Sequence, residues 1–462
     1  MKHYALLVIG SGPAGHHAAI QAAKLGKSVA VVERRQMVGG MAVHTGTIPS
    51  KALREAVLYL SGFEQRGLYD VSYRVKKDIR IEDLMSRCDA VVRAETEVIR
   101  AQFERNDVEL LLGHARFTGP HRVRIEGAAE SGEAEADFIV IAAGSAPTRP
   151  AQVQFDDKTI IDSDGVFKLS TLPRTLTVVG AGVVGVEYAC MFAVLGVKVT
   201  LVDGRARVLE FADGETIDAL LYHMREIHGI TVRLGEEVAE VRPADAGRVV
   251  CVLKSRKEIK SDCVLYSAGR TGSIAGLDLD KAGLQTDPRG RLKVNEHYQT
   301  AVSHIYAAGD VIGFPALASV AMEQGRLSAC HAFANACTSV PALFPFALFT
   351  IPGVSMVGKT EEQLTAETVP YETGIAHYRE IARGQIIGDR TGLLKLLFHR
   401  QTRKLLGVHI LGQGAAELVH IGQAVMAFDG TIDFFVNNVF NYPTLAECYK
   451  VAALNALNKL TL

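Results

Sequence analysis

A chain of 462 residues is long enough for roughly two to four domains, each with its own core. Lysine plus arginine (50) almost balances aspartate plus glutamate (51), which removes any bulk electrostatic case for nucleic acid or an acidic membrane as partner. Hydrophobic residues at 48% and charged residues at 22% are ordinary for a soluble globular protein, and no apolar stretch approaches the roughly 20 residues of a membrane helix. The expectation is a cytoplasmic protein with no membrane or nucleic-acid partner.

The chain opens Met1-Lys2-His3-Tyr4 and enters a short apolar strand, Ala5 to Ile9, too short for a signal-peptide core. Gly10-Ser11-Gly12-Pro13-Ala14-Gly15 follows, then an alanine-rich helical pattern, a Leu25-Gly26 stop, and a second apolar strand ending at Glu33. The same plan returns at an offset of 170 positions, Gly10 matching Gly180. Val178-Val179-Gly180-Ala181-Gly182-Val183-Val184-Gly185 leads to Leu195-Gly196, and a strand through Val199 and Val202 ends at Asp203. In such a fingerprint the first glycine makes the tight turn and the second lets the backbone approach a pyrophosphate. The third lets helix and strand pack closely, and the terminal acid accepts from the adenosine ribose. One copy alone also fits a plain helix-capping turn. Two copies, each between strands and each ending in an acid, predict two dinucleotide sites.

Between and after these fingerprints lie further landmarks. Gly39-Gly40-Met41-Ala42-Val43-His44-Thr45-Gly46-Thr47-Ile48-Pro49-Ser50-Lys51 is a glycine-rich loop running into a helix. Phe138 to Ala142 is an apolar strand followed by Ala143-Gly144-Ser145, and Val264 to Ala268 is another, followed by Gly269-Arg270. Val302 to Asp310 reads as a strand ending in Gly309-Asp310, and Ala316 to Gly325 begins a helix. Glu187 lies two residues past Gly185, in the first turn of the second fingerprint helix. The passage Pro341 to Pro345 marks a boundary. Beyond it, alternating strands at Gly392 to Phe398 and Lys404 to Leu411 and helical patterns at 415–429 and 444–459 predict an α+β domain. The fold class is therefore α/β, with two Rossmann-like dinucleotide domains and a C-terminal α+β domain. The seven cysteines (88, 190, 251, 263, 330, 337 and 448) are scattered without CxxC spacing, so reduced thiols are expected, with neither a disulfide framework nor a metal site. Asp203 favours NAD by repelling a 2′-phosphate, while Arg205 and Arg207 read either as a solvated loop or as partners for NADP.

The loop from Gly39 to Lys51 resembles the redox loop of the flavoprotein disulfide reductases, the lipoamide dehydrogenase and glutathione reductase-like family, written GGxCxxxxCxPxK. Ala42 and Thr47 stand where that family has its two cysteines. Phe440-Asn441-Tyr442-Pro443-Thr444-Leu445-Ala446-Glu447 resembles the family's HPTxxE motif, with Tyr442 in place of the histidine base and Glu447 retained. The resemblance covers the whole chain. It implies FAD in the first fingerprint, with a domain split over 1–148 and 272–340, an NAD(P) domain at 149–271, and a dimerisation domain at 341–462.

For FAD it implies contacts from Gly10, Gly12, Pro13, Ala14, Gly15, Glu33 and Arg34, and from Gly39, Gly40, Met41, Ala42 and Lys51. It adds Ala115, Ala143, Gly144, Gly309, Asp310, Leu317, Ala318 and Ala321, with Asp310 meeting the ribityl chain and pyrophosphate. For the nicotinamide nucleotide it implies Gly180, Gly182, Val183, Val184, Gly185, Glu187, Asp203, Arg205, Arg207, Gly269 and Arg270. The catalytic group is Lys51, near flavin N5 and paired with Glu187, together with Tyr442 and Glu447 reaching in from a second subunit. A homodimer or higher homo-oligomer follows from the resemblance.

Tyrosine ordinarily titrates at about 10 and serves poorly as a proton shuttle near neutrality. Loss of both cysteines and of the base is self-consistent if no thiol is handled. Within the family the pattern resembles the soluble, Si-specific pyridine nucleotide transhydrogenases, which implies ping-pong hydride transfer between NADPH and NAD⁺ through the flavin. A flavin-dependent NAD(P)H oxidoreductase using a quinone, a dye or oxygen, and a non-enzymatic nucleotide-binding redox sensor, are the alternatives. His44 reads as a loop histidine or a flavin contact, and Cys448 stands out only because it follows Glu447.

Overall fold

The computed structural model describes residues 1–127, 131–337 and 343–460. They divide into two compact units. One comprises Met1–Leu53, Met85–Thr148 and Gly269–Ser339, and the other Arg54–Leu84, Arg149–Ala268 and Val340–Leu462. Pro341, the start of the expected boundary passage, lies outside the described residues.

The first unit is built on a seven-stranded sheet. Glu109–Leu112, Val29–Glu33, Lys2–Ile9 and Ser131–Ile141 run parallel in that order, and Arg122–Glu126 and His114–Gly119 continue it antiparallel. Ile305–Ala307 pairs parallel with Ser131–Ile141. The period of two sorts the side chains onto opposite faces. Leu7, Ile9, Ala30, Val32, Ile139 and Ile141 join Phe117 and Val123 on one side. Leu6, Val8, Val29, Val31 and Val140 pack on the other against Ala18, Ala19, Ala22, Ala321 and Ala329 of two helices, Pro13–Lys24 and Ala318–Ala332. Burial on both faces explains why these strands read as continuous apolar runs. The alanine stripe lets the two helices approach until a Cβ on Gly325 would stand 1.9 Å from the Ala14 carbonyl oxygen.

The second unit holds a parallel sheet in the order Thr231–Leu234, Lys198–Asp203, Thr175–Val179, Cys263–Tyr266, Ile160–Asp162. A three-stranded antiparallel sheet, Val238–Pro243, Val249–Leu253 and Glu258–Ser261, shares its core. A five-stranded antiparallel sheet follows, in the order Phe346–Leu348, Val354–Gly358, Leu405–Leu411, Leu393–His399, Tyr371–His377. The helices Ala415–Ala427 and Glu447–Leu460 bury Val419, Val425, Ala452 and Ala456 against Leu394, Leu396, Val408 and Ile410 of that sheet. Lys395 and His409, paired across adjacent strands, are also fully buried. Lys395 Nζ reaches both carboxylate oxygens of Asp213 at 3.1 Å and Glu215 Oε2 at 2.9 Å, and it also contacts Glu361.

Several boundaries differ from the sequence reading. The expected strand Val302 to Asp310 is only Ile305–Ala307, because three residues find partners along Ile139–Ile141 and Gly309 (φ +81°) turns the chain away. The helix expected from 415 to 429 ends at Ala427, stopped by Asp429 at φ +54°. That expected from 444 begins at Glu447. The cysteine expectation is corrected: Cys330 and Cys337 form a disulfide, while Cys88, Cys190, Cys251, Cys263 and Cys448 are free and buried. The helix ends just after Cys330, and a turn through Ala334 at φ +52° brings Cys337 back to it, with Cα atoms 6.2 Å apart.

Two buried histidines make this fold acid-sensitive. Burial, reinforced by neighbouring His17, pushes His16 down to about 4; burial, reinforced by His228, pushes His223 down to about 3. The unfolded chain protonates these rings near pH 6.5, so their contribution is complete above 6.5 and is lost as pH falls toward 4. Each costs about 1.4 kcal/mol per pH unit in that window. Urea midpoints should fall from pH 7.5 to pH 4.5, and His223→Phe should flatten the fall. An unchanged midpoint across the window would refute the assignment.

Candidate functional site

In the first unit, Gly10 takes φ +106°, where a Cβ would meet the Ala142 carbonyl oxygen at 2.4 Å. The helix then starts at Pro13 with Gly12 as its N-cap, and a Cβ on Gly15 would stand 1.9 Å from the Gly10 carbonyl oxygen. A Cβ on Gly40 would strike Gly12 Cα at 2.8 Å. Gly12 and Gly40 therefore form a cradle of bare backbone at a helix N-terminus, where unpaired N–H groups and the dipole favour an anion. Glu33, buried at the end of its strand, accepts from Ser11 N (3.1 Å), Ser11 Oγ (2.6 Å) and Arg35 N (3.0 Å). Ser11 Oγ also accepts from Gly39 N at 3.0 Å, tying the fingerprint to the next loop. Arg34 is exposed, whereas Arg35 donates Nη2–H to Met41 Sδ at 3.4 Å.

Gly40–His44 forms one short helical turn carrying Met41 and Ala42, and Lys51 lies in the first half of the helix Thr47–Ser61. A Cβ on Gly46 would meet the Met41 carbonyl oxygen at 2.9 Å, so the turn between Ala42 and Thr47 stays tight without cysteines. His44 Nε2 hydrogen-bonds the Val38 carbonyl at 2.7 Å. Lys51 Nζ donates to Ser50 Oγ at 3.4 Å. Gly309 meets Ala14 and Ala321, whose Cβ atoms would lie 3.2 and 3.5 Å from a Cβ on it, and Gly309 N donates to Gln324 Oε1 at 2.8 Å. Leu317 caps the helix that begins at Ala318. Ala143 and Gly144 follow the strand Ser131–Ile141, and Ala115 is buried on His114–Gly119. Asp310 Oδ2 accepts from Ser145 Oγ at 2.7 Å. Arg270, which sequence placed in the second site, belongs to this unit: its Nε donates to Ser145 Oγ (2.8 Å) and its Nη2 to the Ser145 carbonyl (3.0 Å). Gly269 turns the chain into that contact at φ +107°.

The second unit repeats the helix N-terminus of the first cradle, with Arg205 rather than a second glycine facing Gly182. Gly180 takes φ +105°, Gly182 caps the helix Val183–Val194, and a Cβ on Gly185 would stand 1.8 Å from the Gly180 carbonyl oxygen. Val184 follows Val183 in the first turn, and Glu187, the fifth helical residue, begins the second turn rather than sharing the first. Its buried Oε1 accepts from Phe349 N at 2.8 Å. Asp203 accepts from Ala181 N at 2.5 Å and from Arg205 N, Nε and Nη2 at 2.8, 2.9 and 2.7 Å. Burial would raise the Asp203 carboxyl, but these bonds from Arg205 and Ala181 outweigh it and hold the group below its usual range. Arg205 Nη2 is the nearest group to a Cβ placed on Gly182, at 3.9 Å, so its guanidinium overhangs this cradle. Arg207 instead lies 3.9 Å from Glu362.

At the C-terminal motif, Tyr442 is 73% exposed and neighbouring Val439 93% exposed. Glu447 Oε2 is buried with no hydrogen-bond partner among the described residues. Cys448 is buried, which pushes its thiol up to about 12 and leaves it unreactive.

The pyridine nucleotide-disulphide oxidoreductase family matches residues 4–325, and its dimerisation domain matches 344–453. The chain belongs to this family of flavoprotein oxidoreductases. It is 53% identical over 462 residues to the "Soluble pyridine nucleotide transhydrogenase" of Mycobacterium tuberculosis, covering all of this chain and 98% of that protein. It is 47% identical to the protein of the same name from Yersinia enterocolitica, covering 99% of each. The crystal structure of LpdA from Mycobacterium tuberculosis superposes with a TM-score of 0.89 at 26% identity, over 98% of this chain and 99% of that one. The HOCl-induced flavoprotein disulfide reductase RclA from Escherichia coli shares the fold, with a TM-score of 0.87 at 24% identity and the same coverage.

Sequence reading missed Ser11, Arg35, Ser145, Gln324 and Phe349. Arg35 was visible through the duplication, since it is the counterpart of Arg205 at the 170-residue offset. The others depend on pairings distant in sequence. Glu187→Ala should remove the acceptor that the Phe349 N–H uses and destabilise the protein by about 1–3 kcal/mol in urea unfolding. Glu187→Gln, which keeps an acceptor, should recover most of the loss. Equal stability of Ala and Gln variants would show that the bond contributes nothing.

Proposed function

We propose that this chain is an FAD-dependent transhydrogenase that moves a hydride between NADPH and NAD⁺ in two half-reactions, without a redox disulfide. The observation that carries this reading is the pair of equivalent glycine cradles, each tied to a buried acid, in a chain with Ala42 and Thr47 at the redox-loop positions. Full-length identity to proteins named soluble pyridine nucleotide transhydrogenase supports it.

The residues of the first unit fit FAD. The bare backbone at Gly12 and Gly40 admits a pyrophosphate, Glu33 offers a carboxylate to a ribose, and Asp310 is oriented by Ser145 and Arg270. FAD held by these residues would supply a two-electron store for hydride exchange between nicotinamides. Lys51 would supply a cation on the flavin side, where negative charge develops. Glu187, held by the Phe349 N–H, would orient the nicotinamide. Tyr442 has no proton to move in this scheme, because no thiol is made or consumed.

Arg205 decides nucleotide tolerance. Folded onto Asp203, its guanidinium neutralises the carboxylate that would repel a 2′-phosphate, and it stands beside the cradle to pair with that phosphate. With NAD, Asp203 serves the ribose hydroxyls instead. The dimerisation-domain match and the exposed Val439 and Tyr442 support a homodimer.

Anaerobic reduction of the purified holoenzyme by NADPH, followed by mixing with NAD⁺ in a stopped-flow instrument, should return the oxidised-flavin absorbance within a turnover. Return only with a quinone or oxygen would overturn the transhydrogenase in favour of an NAD(P)H oxidoreductase. Arg205→Ala should raise KM for NADPH about tenfold or more, the cost of one charge-assisted phosphate contact, and leave KM for NADH within about threefold. Equal changes for both nucleotides would reduce Arg205 to a surface residue.

A further inference from the structure

Among the described residues, the chain carries one sulfur pair, and it lies away from the redox loop. Cys330 occupies the last turn of the helix Ala318–Ala332, about 18 Å along the axis from Ala318 by the rise of an α-helix. Cys337 lies beyond the helix, and the two are joined by a bond that closes the segment between them. Polar donors converge on these sulfurs: Asn335 Nδ2 lies 3.3 Å from Cys337 Sγ and 3.9 Å from Cys330 Sγ, and Arg326 Nη1 lies 3.9 Å from Cys330 Sγ. The amide donor at 3.3 Å is the surrounding that stabilises a Cys337 thiolate, while the Arg326 guanidinium is paired with Glu323 at 2.8 and 2.5 Å and only borders Cys330. The remaining five cysteines are buried, and burial pushes their thiols up to about 11 for Cys88 and Cys251 and about 12 for Cys190, Cys263 and Cys448. Cys330 is buried but Cys337 is partly exposed, so one sulfur of the pair is open to a small reagent.

We infer that Cys330 and Cys337 form a reversible thiol–disulfide site, oxidised by small hydroperoxides and reduced by dithiols, which staples the C-terminal end of this helix. The Cys337 thiolate attacks a hydroperoxide oxygen, breaking the O–O bond to leave a sulfenic acid on Cys337 and release an alcohol or water. The Cys330 thiolate then attacks the sulfenic sulfur, forming the S–S bond and expelling hydroxide, which is protonated to water. Two thiols lose two electrons and two protons, and the hydroperoxide takes up both. An external dithiol reverses the step through a mixed disulfide and is itself oxidised. The helix begins with Leu317, Ala318 and Ala321, the residues assigned to the flavin, so the staple holds the far end of an element of the first cradle.

The holoenzyme, treated with hydrogen peroxide or with dithiothreitol, would be alkylated with iodoacetamide and digested with trypsin. Cleavage after Arg326 and Lys359 releases residues 327–359, which contain both cysteines of the pair and no other. The peroxide-treated peptide should be unalkylated and about 2 Da lighter than the dithiol form, the dithiothreitol sample should carry two alkyl groups, and the other five cysteines should be unchanged. In circular-dichroism melts the oxidised protein should unfold several degrees above the reduced one, a difference absent in Cys337→Ser and in Cys330→Ser. Two alkylated cysteines after peroxide, or a bond that resists dithiothreitol in the folded protein, would overturn the inference.

Discussion

Two glycine pairs govern this architecture. At Gly15 and Gly185 any Cβ would fall 1.9 and 1.8 Å from the carbonyl oxygens of Gly10 and Gly180, well inside van der Waals contact. Helix and strand can come this close only without side chains, and that approach aims the helix N-terminus at the crevice where strand order reverses. The third close approach, Gly325 against Ala14, presses the helix Ala318–Ala332 onto the first fingerprint helix and so brings Gly309 beside Ala14 and Ala321. Three contacts of bare backbone thus set the anion cradles and the element that borders one of them.

The duplicated frames then diverge around their terminal acids. Ser11 and Ala181 donate their N–H groups to the terminal acids of their own copies, as do Arg35 and Arg205. The guanidiniums part company: Arg35 turns to Met41 Sδ, whereas Arg205 closes a two-point ion pair on Asp203. In the first copy the acid keeps its acceptor character beside a hydroxyl, and in the second it is neutralised by a mobile-length cation. This asymmetry arises inside a shared backbone: the two acids accept from equivalent main-chain groups and differ in what the following arginine does.

Polar groups elsewhere show what such a frame costs to maintain. Lys395 is fully enclosed with Asp213, which also caps the helix Gly214–Glu226, while Glu215 and Glu361 reach its Nζ from more exposed positions. Removing Lys395 would leave the buried Asp213 carboxylate without its cation, a loss of about 3–5 kcal/mol. Glu447 illustrates the opposite case. It is present in a motif that carries Tyr442 rather than a histidine, and one carboxylate oxygen has no hydrogen-bond partner among the described residues.

Local pattern was enough to reveal the duplication, the acids at Glu33 and Asp203, the helix stops at Gly26 and Gly196, and the vacancy of thiols at Ala42 and Thr47. Those features are legible because periodicity, glycine turns and residue identity act within a few positions of one another. Ser145 with Asp310, Phe349 with Glu187, Lys395 with Asp213 and the placement of Arg270 in the first unit are not local. Each joins residues 125 to 182 positions apart, through backbone amides and side chains whose neighbours exist only after the sheets assemble. Cys330 and Cys337 are near in sequence, yet their bond depended on the helix ending at Ala332 and on the turn at Ala334. The sequence alone determined that positions 42 and 47 carry no thiol and that each fingerprint ends in an acid. The tertiary structure decided how its remaining acids are held, because a hydrogen bond is set by where folding puts its donor.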